Sequence, residues 1–242
     1  MAIDVSVIIP TYNERANIRP LMERLRQALG AMSWEVVFVD DDSPDGTSQE
    51  ILAQAGRDAR VRLIRRVGRR GLSSACVEGV LAASASHLVV MDADMQHDEA
   101  LIPGMLAALC GQGVDLVVAS RYVAGGGVGT WSPVRAGISR VGAWLTRVLI
   151  GIPVQDPLSG FFAFRKVLFS KAGPRLHGRG FKILLDLILS SQGTVRFVEF
   201  PFIFRQRYGG KTKLNWLVVA DYAGLLIVRL FFRRSSVVLT PG

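Results

Sequence analysis

The stretch His87-Leu88-Val89-Val90-Met91-Asp92-Ala93-Asp94-Met95-Gln96-His97 decides how the whole chain is interpreted. Its apolar first part has the length of a buried strand. Two aspartates spaced two residues apart end this run, and a glutamine lies two positions beyond the second aspartate. Such hard oxygen donors suit Mg²⁺ or Mn²⁺ better than Zn²⁺. On its own, the stretch leaves a metal site and a solvated turn open as alternatives.

Strand-like and helix-like segments alternate five times before residue 121. The continuous apolar runs predicted as strands are Val5 to Pro10, Glu35 to Asp40, Val61 to Arg65, His87 to Asp92 and Asp115 to Ser120. Continuous hydrophobicity at βαβ spacing is typical of an open, mostly parallel sheet with helices on both faces. We therefore predict an α/β fold.

Polar residues follow these predicted strands at their carboxyl ends. The clusters are Tyr12 and Glu14 after the first strand, Asp40 to Asp45 after the second, Asp92, Asp94 and Gln96 after the fourth, and Arg121 after the fifth. Open parallel sheets bind their ligands at this edge, because the loops that follow the strands meet there. This convergence favours a metal and nucleotide site over a solvated turn.

Charge is distributed unevenly along the chain. Residues 1–120 hold 11 Lys or Arg and 16 Asp or Glu, a net charge of −5. Residues 121–242 hold 18 Lys or Arg and 4 Asp or Glu, a net charge of +14. A basic and apolar second half predicts contact with a membrane surface, which offers both anionic and apolar groups. Nucleic acid would match the charge alone, and the sequence shows no stacking platform or recognition motif for it.

Two segments of the second half are especially apolar. Residues 131–150 are predicted to form a helix in which aliphatic, aromatic and arginine residues mix. This mixture is typical of a helix in a membrane interface, and an ordinary surface helix packed on the core is the alternative. Residues 215–242 are predicted to be an apolar and basic membrane-associated segment. Because no run of about 18 uncharged apolar residues occurs, the sequence predicts no clear transmembrane helix.

Eight short motifs occur in order along residues 3–215. They are Pro-Thr-Tyr-Asn-Glu at 10–14, Asp-Asp-Asp-Ser-Pro-Asp-Gly-Thr at 40–47, Gly-Leu-Ser-Ser-Ala at 71–75, Asp-Ala-Asp-Met-Gln-His at 92–97, Ser-Arg-Tyr at 120–122, Asp-Pro-Leu-Ser-Gly-Phe at 156–161, Phe-Lys-Ile-Leu-Leu-Asp at 181–186 and Arg-Tyr-Gly-Gly-Lys-Thr-Lys-Leu at 207–214. Together they resemble the inverting glycosyltransferase family 2, and within it the polyprenyl-phosphate (dolichyl-phosphate) mannose synthases. The resemblance implies a GT-A fold, a Rossmann-like open and mostly parallel sheet flanked by helices, with C-terminal amphipathic helices at a membrane interface. Asp42 departs from the family pattern, in which glycine is commoner at that position.

The resemblance also implies roles for the matching residues. The expected nucleotide contacts are Pro10, Tyr12, Glu14, Asp41, Asp92, Ala93, Lys182 and Arg207. The expected ligands of a Mg²⁺ or Mn²⁺ ion are Asp92, Asp94 and Gln96. The expected acceptor-phosphate contacts are Arg121, Arg135 and Ser139, of which the last two are spaced four residues apart and would share one face of a helix. The expected catalytic residues are Asp94, Arg121 and Asp156.

The implied reaction moves mannose from GDP-mannose to a polyprenyl or dolichyl phosphate at the cytoplasmic face of a membrane. UDP-glucose is the nearest alternative donor, and a non-catalytic membrane or nucleic-acid binding protein is a remote alternative. Because a phosphate monoester loses its second proton near pH 6, the acceptor is already a nucleophilic anion and needs no dedicated base. Asp156 is the candidate if a base or an orienting group exists, and a cap before Pro157 is its alternative role.

The catalytic domain is expected to span residues 1–214, with a nucleotide and metal half at 1–120 and an acceptor half at 121–214. A solvated loop is expected for Arg65, Arg66, Arg69 and Arg70, with a phosphate contact by Arg70 as the alternative. His97 has two open roles, one in the site and one in a hydrogen bond within its own loop. Cys76 and Cys110 are expected to be reduced thiols of the core.

Overall fold

The computed structural model describes residues 3–111, 113–178, 180, 182–206 and 237–241. Its strands are β1 (Val5–Thr11), β2 (Trp34–Asp40), β3 (Val61–Arg65), β4 (His87–Val90), β5 (Leu116–Ser120), β6 (Phe162–Arg165), β7 (Gly193–Pro201) and β8 (Val237–Pro241). Its α-helices are α1 (Arg15–Leu29), α2 (Thr47–Ala55), α3 (Leu72–Ala82), α4 (Ile102–Gly111), α5 (Pro133–Ile150), α6 (Lys166–Ala172) and α7 (Ile183–Ser190). Short 3₁₀ turns occur at Glu99–Leu101 and Gly173–Arg175.

The described strands form one sheet in the order β3-β2-β1-β4-β6-β5-β7-β8. The parallel pairs are β1 with β2, β1 with β4 and β2 with β3, and β5 with β7 and β7 with β8. Strand β6 lies between β4 and β5 and is antiparallel to both. The predicted α/β fold with a mostly parallel sheet is confirmed. The position of β6 lies beyond what the sequence predicts, because an apolar run identifies a buried strand without identifying its neighbours.

Helices cover both faces of the sheet, as the continuous apolar strands predict. Every residue of β1 and β2 is buried. Alternate side chains of a strand point to opposite faces, so Val7 and Ile9 join the core shared with α1, α2 and α4. Ile8 joins the core shared with α3, α6 and α7. The two cores hold the central strands between them and thereby fix where their carboxyl ends lie.

Helix α3 packs unusually close to the sheet. A Cβ atom on Gly79 would lie 2.5 Å from Cγ2 of Ile8 and 3.1 Å from Cγ2 of Val39. Nonbonded carbon atoms prefer separations of about 3.5–4.0 Å, so only glycine fits here without movement of the strands. The close approach sets the start of α3, and with it the preceding loop at residues 66–71, beside the carboxyl ends of β1 and β2.

Strand β8 lies within residues 215–242, the predicted membrane-associated segment, and pairs with β7 at the edge of the sheet. The residues of that segment before 237 lie outside the described residues. Cys76 is buried as expected, but Cys110 is exposed. The expectation of a core thiol is wrong for Cys110, because α4 turns this position away from the face that buries Met105 and Leu109.

Among the described residues, no helix is both long enough and apolar enough to cross a membrane.

Candidate active site

The loops after β1, β2 and β4 meet at one edge of the sheet, and each contains a residue in the left-handed conformation. Asn13, Asp42 and Met95 have φ angles of 56°, 55° and 66°. Within the described residues these are the only non-glycine positions with positive φ. Such backbone typically costs on the order of 1–3 kcal/mol per residue and concentrates at functional sites. The loop requires a positive φ at position 42. Glycine adopts this conformation most easily, which explains why glycine is commoner than aspartate at this position of the motif.

The turn after β4 folds Asp94 and Gln96 against each other. The backbone N–H of Gln96 donates a hydrogen bond of 3.1 Å to Oδ1 of Asp94, which closes the turn around Met95. Nε2 of Gln96 donates to the backbone carbonyl of Arg205 at 3.0 Å, and the backbone N–H of Arg205 donates to the carbonyl of Gln96 at 2.9 Å. Because the amide nitrogen of Gln96 is engaged in this way, its side-chain oxygen is the atom that is available to a ligand.

Asp92 is held by His97 and is given space by Gly160. The backbone N–H of Asp92 donates to Nδ1 of His97 at 3.1 Å, which is the loop hydrogen bond that was one of the two roles open to this histidine. A Cβ atom on Gly160 would lie 3.0 Å from Oδ2 of Asp92. Sequence reasoning misses Gly160 because glycine carries no chemical group. Its place in the motif at 156–161 is the signal that points to it.

The oxygen donors of this loop fit one divalent cation. Asp92 and Asp94 supply carboxylate oxygens and Gln96 supplies a carboxamide oxygen, which are the donors that Mg²⁺ and Mn²⁺ prefer. The side chain of Asp92 is 36% exposed, whereas Asp94 is buried, so the loop opens outward at Asp92. In the described ranges, no three His, Cys, Asp or Glu side chains come together as a metal cluster. In the predicted metal site, this loop would supply part of the coordination shell, and substrate oxygens and water would complete it.

Arg121 and Asp156 form a buried ion pair beyond the end of β5. Nε of Arg121 donates a hydrogen bond of 2.7 Å to Oδ2 of Asp156, and Nη2 donates one of 2.7 Å to Oδ1. The backbone N–H of Arg121 donates a third hydrogen bond, of 3.1 Å, to Oδ2. Burial alone would lower the pKa of Arg121, but its hydrogen bonds with Asp156 outweigh burial and raise that pKa. Both oxygens of Asp156 are thus committed to orienting Arg121.

Lys182 lies close to this pair, immediately before α7. Burial lowers the pKa of Lys182, and the positive charge of Arg121 lowers it further. The charges of Asp156 and Asp92 act on the same pKa in the opposite direction. The structure therefore brings Lys182, one of the predicted nucleotide contacts, into electrostatic reach of the Arg121–Asp156 pair and of Asp92. Asp92 belongs to the loop of Asp92, Asp94 and Gln96, which we call the oxygen-donor loop.

Helix α5 is joined to the site through Tyr122 and Trp131. The hydroxyl of Tyr122 donates a hydrogen bond of 2.7 Å to Oγ of Ser139. The ring centroid of Trp131 lies 4.0 Å from Cζ of Arg135 and 5.6 Å from Cζ of Arg121. These contacts gather the three predicted acceptor-phosphate contacts on one side of the site.

The outer face of α5 is apolar and exposed. The side chains that are more than half exposed are Val134, Ile138, Val141, Trp144 and Val148. Only Ala143 and Thr146 of this helix are buried. A helix packed on a protein core buries its apolar stripe, so the exposure disfavours the alternative of an ordinary packed surface helix.

Asp41 and Arg66 form a second buried ion pair, beyond the end of β2. Nε and Nη2 of Arg66 lie 2.7 Å and 2.6 Å from Oδ1 of Asp41, and the other carboxylate oxygen accepts the backbone N–H of Gly71 at 2.7 Å. The expectation of a solvated loop is wrong for Arg66, which is 1% exposed. Asp41 and Glu78 balance its charge, and the sequence offers no local sign of these distant partners.

Most of the other predicted nucleotide contacts lie at the same edge of the sheet. Cζ of Arg70 lies 4.5 Å from the ring centroid of Tyr12, and Oε2 of Glu14 accepts a hydrogen bond of 2.6 Å from Nδ2 of Asn17. The contacts that lie in the loops or strand ends at this edge are Pro10, Tyr12, Glu14, Asp41, Asp92 and Ala93. Arg207 lies outside the described residues, and a phosphate contact by Arg70 stays a prediction.

The α/β fold, with its polar loops at the carboxyl edge of the sheet, agrees with a comparison of the sequence with known families. Residues 6–173 match the model of glycosyl transferase family 2, and the chain is a member of this family. The family resemblance predicted from the sequence motifs is thereby confirmed.

Named relatives within the family share most of the chain. Dolichol-phosphate mannosyltransferase from Pyrococcus furiosus is 41% identical over 222 residues, which cover 90% of this chain and 61% of that protein. The protein of the same name from Saccharomyces cerevisiae is 37% identical over 231 residues, which cover 92% of this chain and 85% of that protein. The chain thus spans less than two thirds of the length of the P. furiosus relative.

Solved structures show the same fold. Glucosyl-3-phosphoglycerate synthase from Mycobacterium tuberculosis, in complex with Mn²⁺, UDP and glucosyl-3-phosphoglycerate, matches with a TM-score of 0.67 at 18% identity. The match covers 95% of this chain and 79% of that one. Its complex with Mn²⁺, UDP-glucose and phosphoglyceric acid also gives a TM-score of 0.67, over 94% of this chain and 80% of that one. At this identity the likeness shows the GT-A fold alone, which confirms the predicted fold class.

Proposed function

We propose that the chain transfers mannose from GDP-mannose to the phosphate of a polyprenyl or dolichyl phosphate, with inversion at the sugar carbon. The main support for this proposal is that Arg121, which pairs with Asp156, and Lys182 both lie within electrostatic reach of Asp92 in the oxygen-donor loop. Such an arrangement suits a reaction in which one anion leaves while another attacks, because both anions need cationic groups close by. The names of the relatives from P. furiosus, S. cerevisiae and Mycosarcoma maydis support the sugar and the lipid acceptor.

The donor is assigned to the nucleotide and metal half, residues 1–120 of a catalytic domain that spans residues 1–214. Asp92, Asp94 and Gln96 would hold a Mg²⁺ or Mn²⁺ ion, which neutralises charge on a leaving diphosphate when it is bound. The complex of the M. tuberculosis enzyme with Mn²⁺ and UDP supports a divalent ion. Tyr12 and Asp41 contact the nucleoside in this proposal.

The acceptor phosphate is assigned to the half at residues 121–214, with Arg121 as its main contact. Arg135 and Ser139 complete that contact from α5. Above its second pKa near 6, the phosphate is a dianion, so one of its oxygens attacks C1 of mannose without losing a proton. The bond between C1 and the diphosphate oxygen breaks, and its electron pair leaves with GDP. Asp156 is an orienting group in this scheme, since both of its oxygens accept hydrogen bonds from Arg121.

We also propose that α5 rests on the surface that holds the acceptor lipid. The helix carries Arg135 and Ser139 toward the site, while its exposed face presents Val134, Ile138 and Val141. Aliphatic side chains of this kind bury favourably at the boundary of head groups and acyl chains. The net charge of +14 on residues 121–242 favours the anionic cytoplasmic leaflet.

Transfer is tested with GDP-[¹⁴C]mannose, Mg²⁺ and a short polyprenyl phosphate, by counting label that moves into an organic extract. We expect Asp94→Asn and Arg121→Ala to transfer at least about 100-fold more slowly, because each removes a group that stabilises developing charge. Arg57→Ala, an exposed residue beyond α2, is the control and should match the unaltered chain. Labelled UDP-glucose is run in parallel. If labelled glucose but no labelled mannose is extracted, the donor is UDP-glucose and not GDP-mannose. If neither label is extracted, the proposed activity is wrong.

Membrane contact is tested by sedimentation with vesicles of phosphatidylcholine and phosphatidylserine. The double substitution Ile138→Asp with Val141→Asp should weaken vesicle binding by at least about 10-fold, since burial of each aliphatic side chain contributes roughly 1.5–3 kcal/mol. Leu81→Asp on α3 is the matched control, because Leu81 is also exposed, at 67%. Equal sedimentation of both variants would show that α5 is not the contact.

A further inference from the structure

His97 occupies a closed position behind the oxygen-donor loop. It is 1% exposed, and its ring stacks on Phe161 with 5.1 Å between centroids. The rings of Phe202 and Phe204 meet it edge-on, each at 5.8 Å. Aromatic packing on three sides leaves the imidazole no alternative orientation, so the atoms that its two nitrogens face are set by the fold.

The hydrogen bond to the backbone determines which nitrogen carries the proton. Nδ1 lies 3.1 Å from the backbone nitrogen of Asp92, and a backbone N–H can only donate. Nδ1 must therefore be the bare nitrogen, and the proton is on Nε2. Burial lowers the pKa of His97 to about 4, which agrees with a neutral ring. The second nitrogen of the ring is thus a fixed N–H donor.

Nε2 lies beside the carboxylate of Asp92 without a hydrogen bond to it. The distance from Nε2 to Oδ2 of Asp92 is 3.8 Å, which is too long for a hydrogen bond. A Cβ atom on Gly160 would lie 3.0 Å from that same Oδ2 and 3.5 Å from Cε1 of His97. Glycine at 160 therefore keeps the space between imidazole and carboxylate free of side-chain atoms.

We propose that His97 is a positioning residue for Asp92, which it holds through the backbone. The hydrogen bond to Nδ1 fixes the backbone of Asp92, and the imidazole ring lies against the carboxylate, so that the carboxylate keeps the place from which it would bind a divalent cation. The proposal rests on the proposed function, because it deepens the role of Asp92 in the metal site. Groups that orient a metal ligand in this way typically change metal affinity by about 10–100-fold when they are removed.

Two substitutions separate the two contacts. In His97→Asn the short side chain can keep an acceptor where Nδ1 lies, but it has no donor at the position of Nε2. In His97→Gln the longer side chain can keep a donor near the position of Nε2, but it loses the acceptor for the backbone. His87→Asn is the matched control, because His87 starts β4 at the opposite end of the strand.

The experiment measures Mn²⁺ affinity by isothermal titration in the presence of GDP, and unfolding free energy by urea denaturation. We expect His97→Gln to bind Mn²⁺ at least about 10-fold more weakly, because it loses the acceptor for the backbone N–H of Asp92, and His97→Asn to stay closer to the unaltered chain. Unaltered affinity in His97→Gln, or weaker binding in His97→Asn than in His97→Gln, would overturn the positioning role. If the unaltered chain binds no Mn²⁺, the metal site of the proposed function fails instead, and the two failures are thereby distinguished.

Discussion

Two buried arginine–aspartate pairs lie at the carboxyl edge of the sheet, and they differ in what the arginine has left to donate. Arg66 uses all three guanidinium nitrogens on protein acceptors. Its Nε bonds to Asp41, its Nη1 to Ser74 and Glu78, and its Nη2 to the carbonyl of Gly71. An arginine that is fully paired in this way shapes the loop between β3 and α3 and has no free nitrogen for a ligand.

Arg121 donates from only two of its side-chain nitrogens. Nε and Nη2 bond to Asp156, and no residue in the described part accepts a hydrogen bond from Nη1. The side chain is 10% exposed, compared with 1% for Arg66. The two ion pairs therefore differ in how fully the arginine is engaged: beyond β2 every guanidinium nitrogen of Arg66 is bonded, and beyond β5 Nη1 of Arg121 has no acceptor in the described residues. The contact of Arg121 with an acceptor phosphate stays a prediction.

The largest effect is expected for Arg66→Met, which removes the cation of the fully paired site. Asp41 would remain buried without its counter-charge, and breaking a buried pair in this way typically destabilises by about 3–5 kcal/mol. Urea denaturation followed by circular dichroism measures the unfolding free energy. Arg65→Met is the matched control, because the side chain of Arg65 is 53% exposed and such pairs contribute about 0–1 kcal/mol. If the two variants have equal unfolding free energies, Arg66 does not stabilise the fold more than an exposed arginine does.

Asp156→Asn tests the pair that retains a donor, and we expect it to impair transfer more than stability. The amide offers one oxygen where the carboxylate offers two, so one hydrogen bond to Arg121 is lost, which costs about 1–3 kcal/mol. A misaligned guanidinium should slow transfer by about 100-fold. Transfer assays and urea denaturation of the same preparations measure both effects. Glu23→Gln, in an exposed pair with Arg19, is the control, and transfer at its level by Asp156→Asn would contradict the orienting role.

Gly160→Ala extends the comparison to the oxygen-donor loop, with a smaller effect. The added methyl group would lie 3.0 Å from Oδ2 of Asp92, so the carboxylate must move. We expect Mn²⁺ affinity in the presence of GDP to fall by about 10-fold, as for other changes beside a metal ligand. Gly137→Ala in α5 is the control, because nothing lies within 4 Å of its added Cβ. Unchanged affinity in Gly160→Ala would show that Asp92 tolerates the shift.

The smallest effect is expected at Asp58, which pairs with Arg26 and Arg60, two arginines whose side chains are 33% and 45% exposed. Its hydrogen bond with Arg60 is the main cause that lowers its pKa from 3.8 to about 2. This stabilisation is present above pH 4 and is lost as the pH falls through 2, because the unfolded state takes up the proton first. Asp58→Asn should therefore be less stable than the unaltered chain at pH 6, by less than about 1 kcal/mol given solvent screening. The difference should vanish near pH 2 in urea denaturation, and a difference that persists there would refute the linkage.

Much of the fold was accessible from local sequence patterns. Five apolar runs predict the buried strands β1 to β5, and their continuity predicts a sheet covered on both faces. The acidic loop at Asp92 and Asp94 follows β4 as expected, and the motifs identify the family. These features are readable because hydrophobic runs, turn residues and short motifs are properties of neighbouring residues.

The arrangement of partners was not accessible in the same way. Arg66 looks like one member of a solvated basic run, yet it is buried against Asp41, 25 residues away. Asp156 looks equally like a base, an orienting group or a turn cap in the sequence, and its contact with Arg121, 35 residues away, has no local sign. Gly160 and His97 carry weak signals in the sequence, because their effect on Asp92 depends on space and ring orientation.

The sequence alone therefore establishes which elements form, which end of the sheet carries the polar groups and which family the chain resembles. The tertiary structure decides that β6 enters between β4 and β5, and this insertion leads the chain from Gly160 past the oxygen-donor loop. It also decides that Arg66 bonds through all three of its guanidinium nitrogens, whereas Arg121 bonds to Asp156 through two. The physical reason is that strand formation depends on local hydrophobicity, whereas the pairing of buried charges depends on contacts that only the folded chain creates.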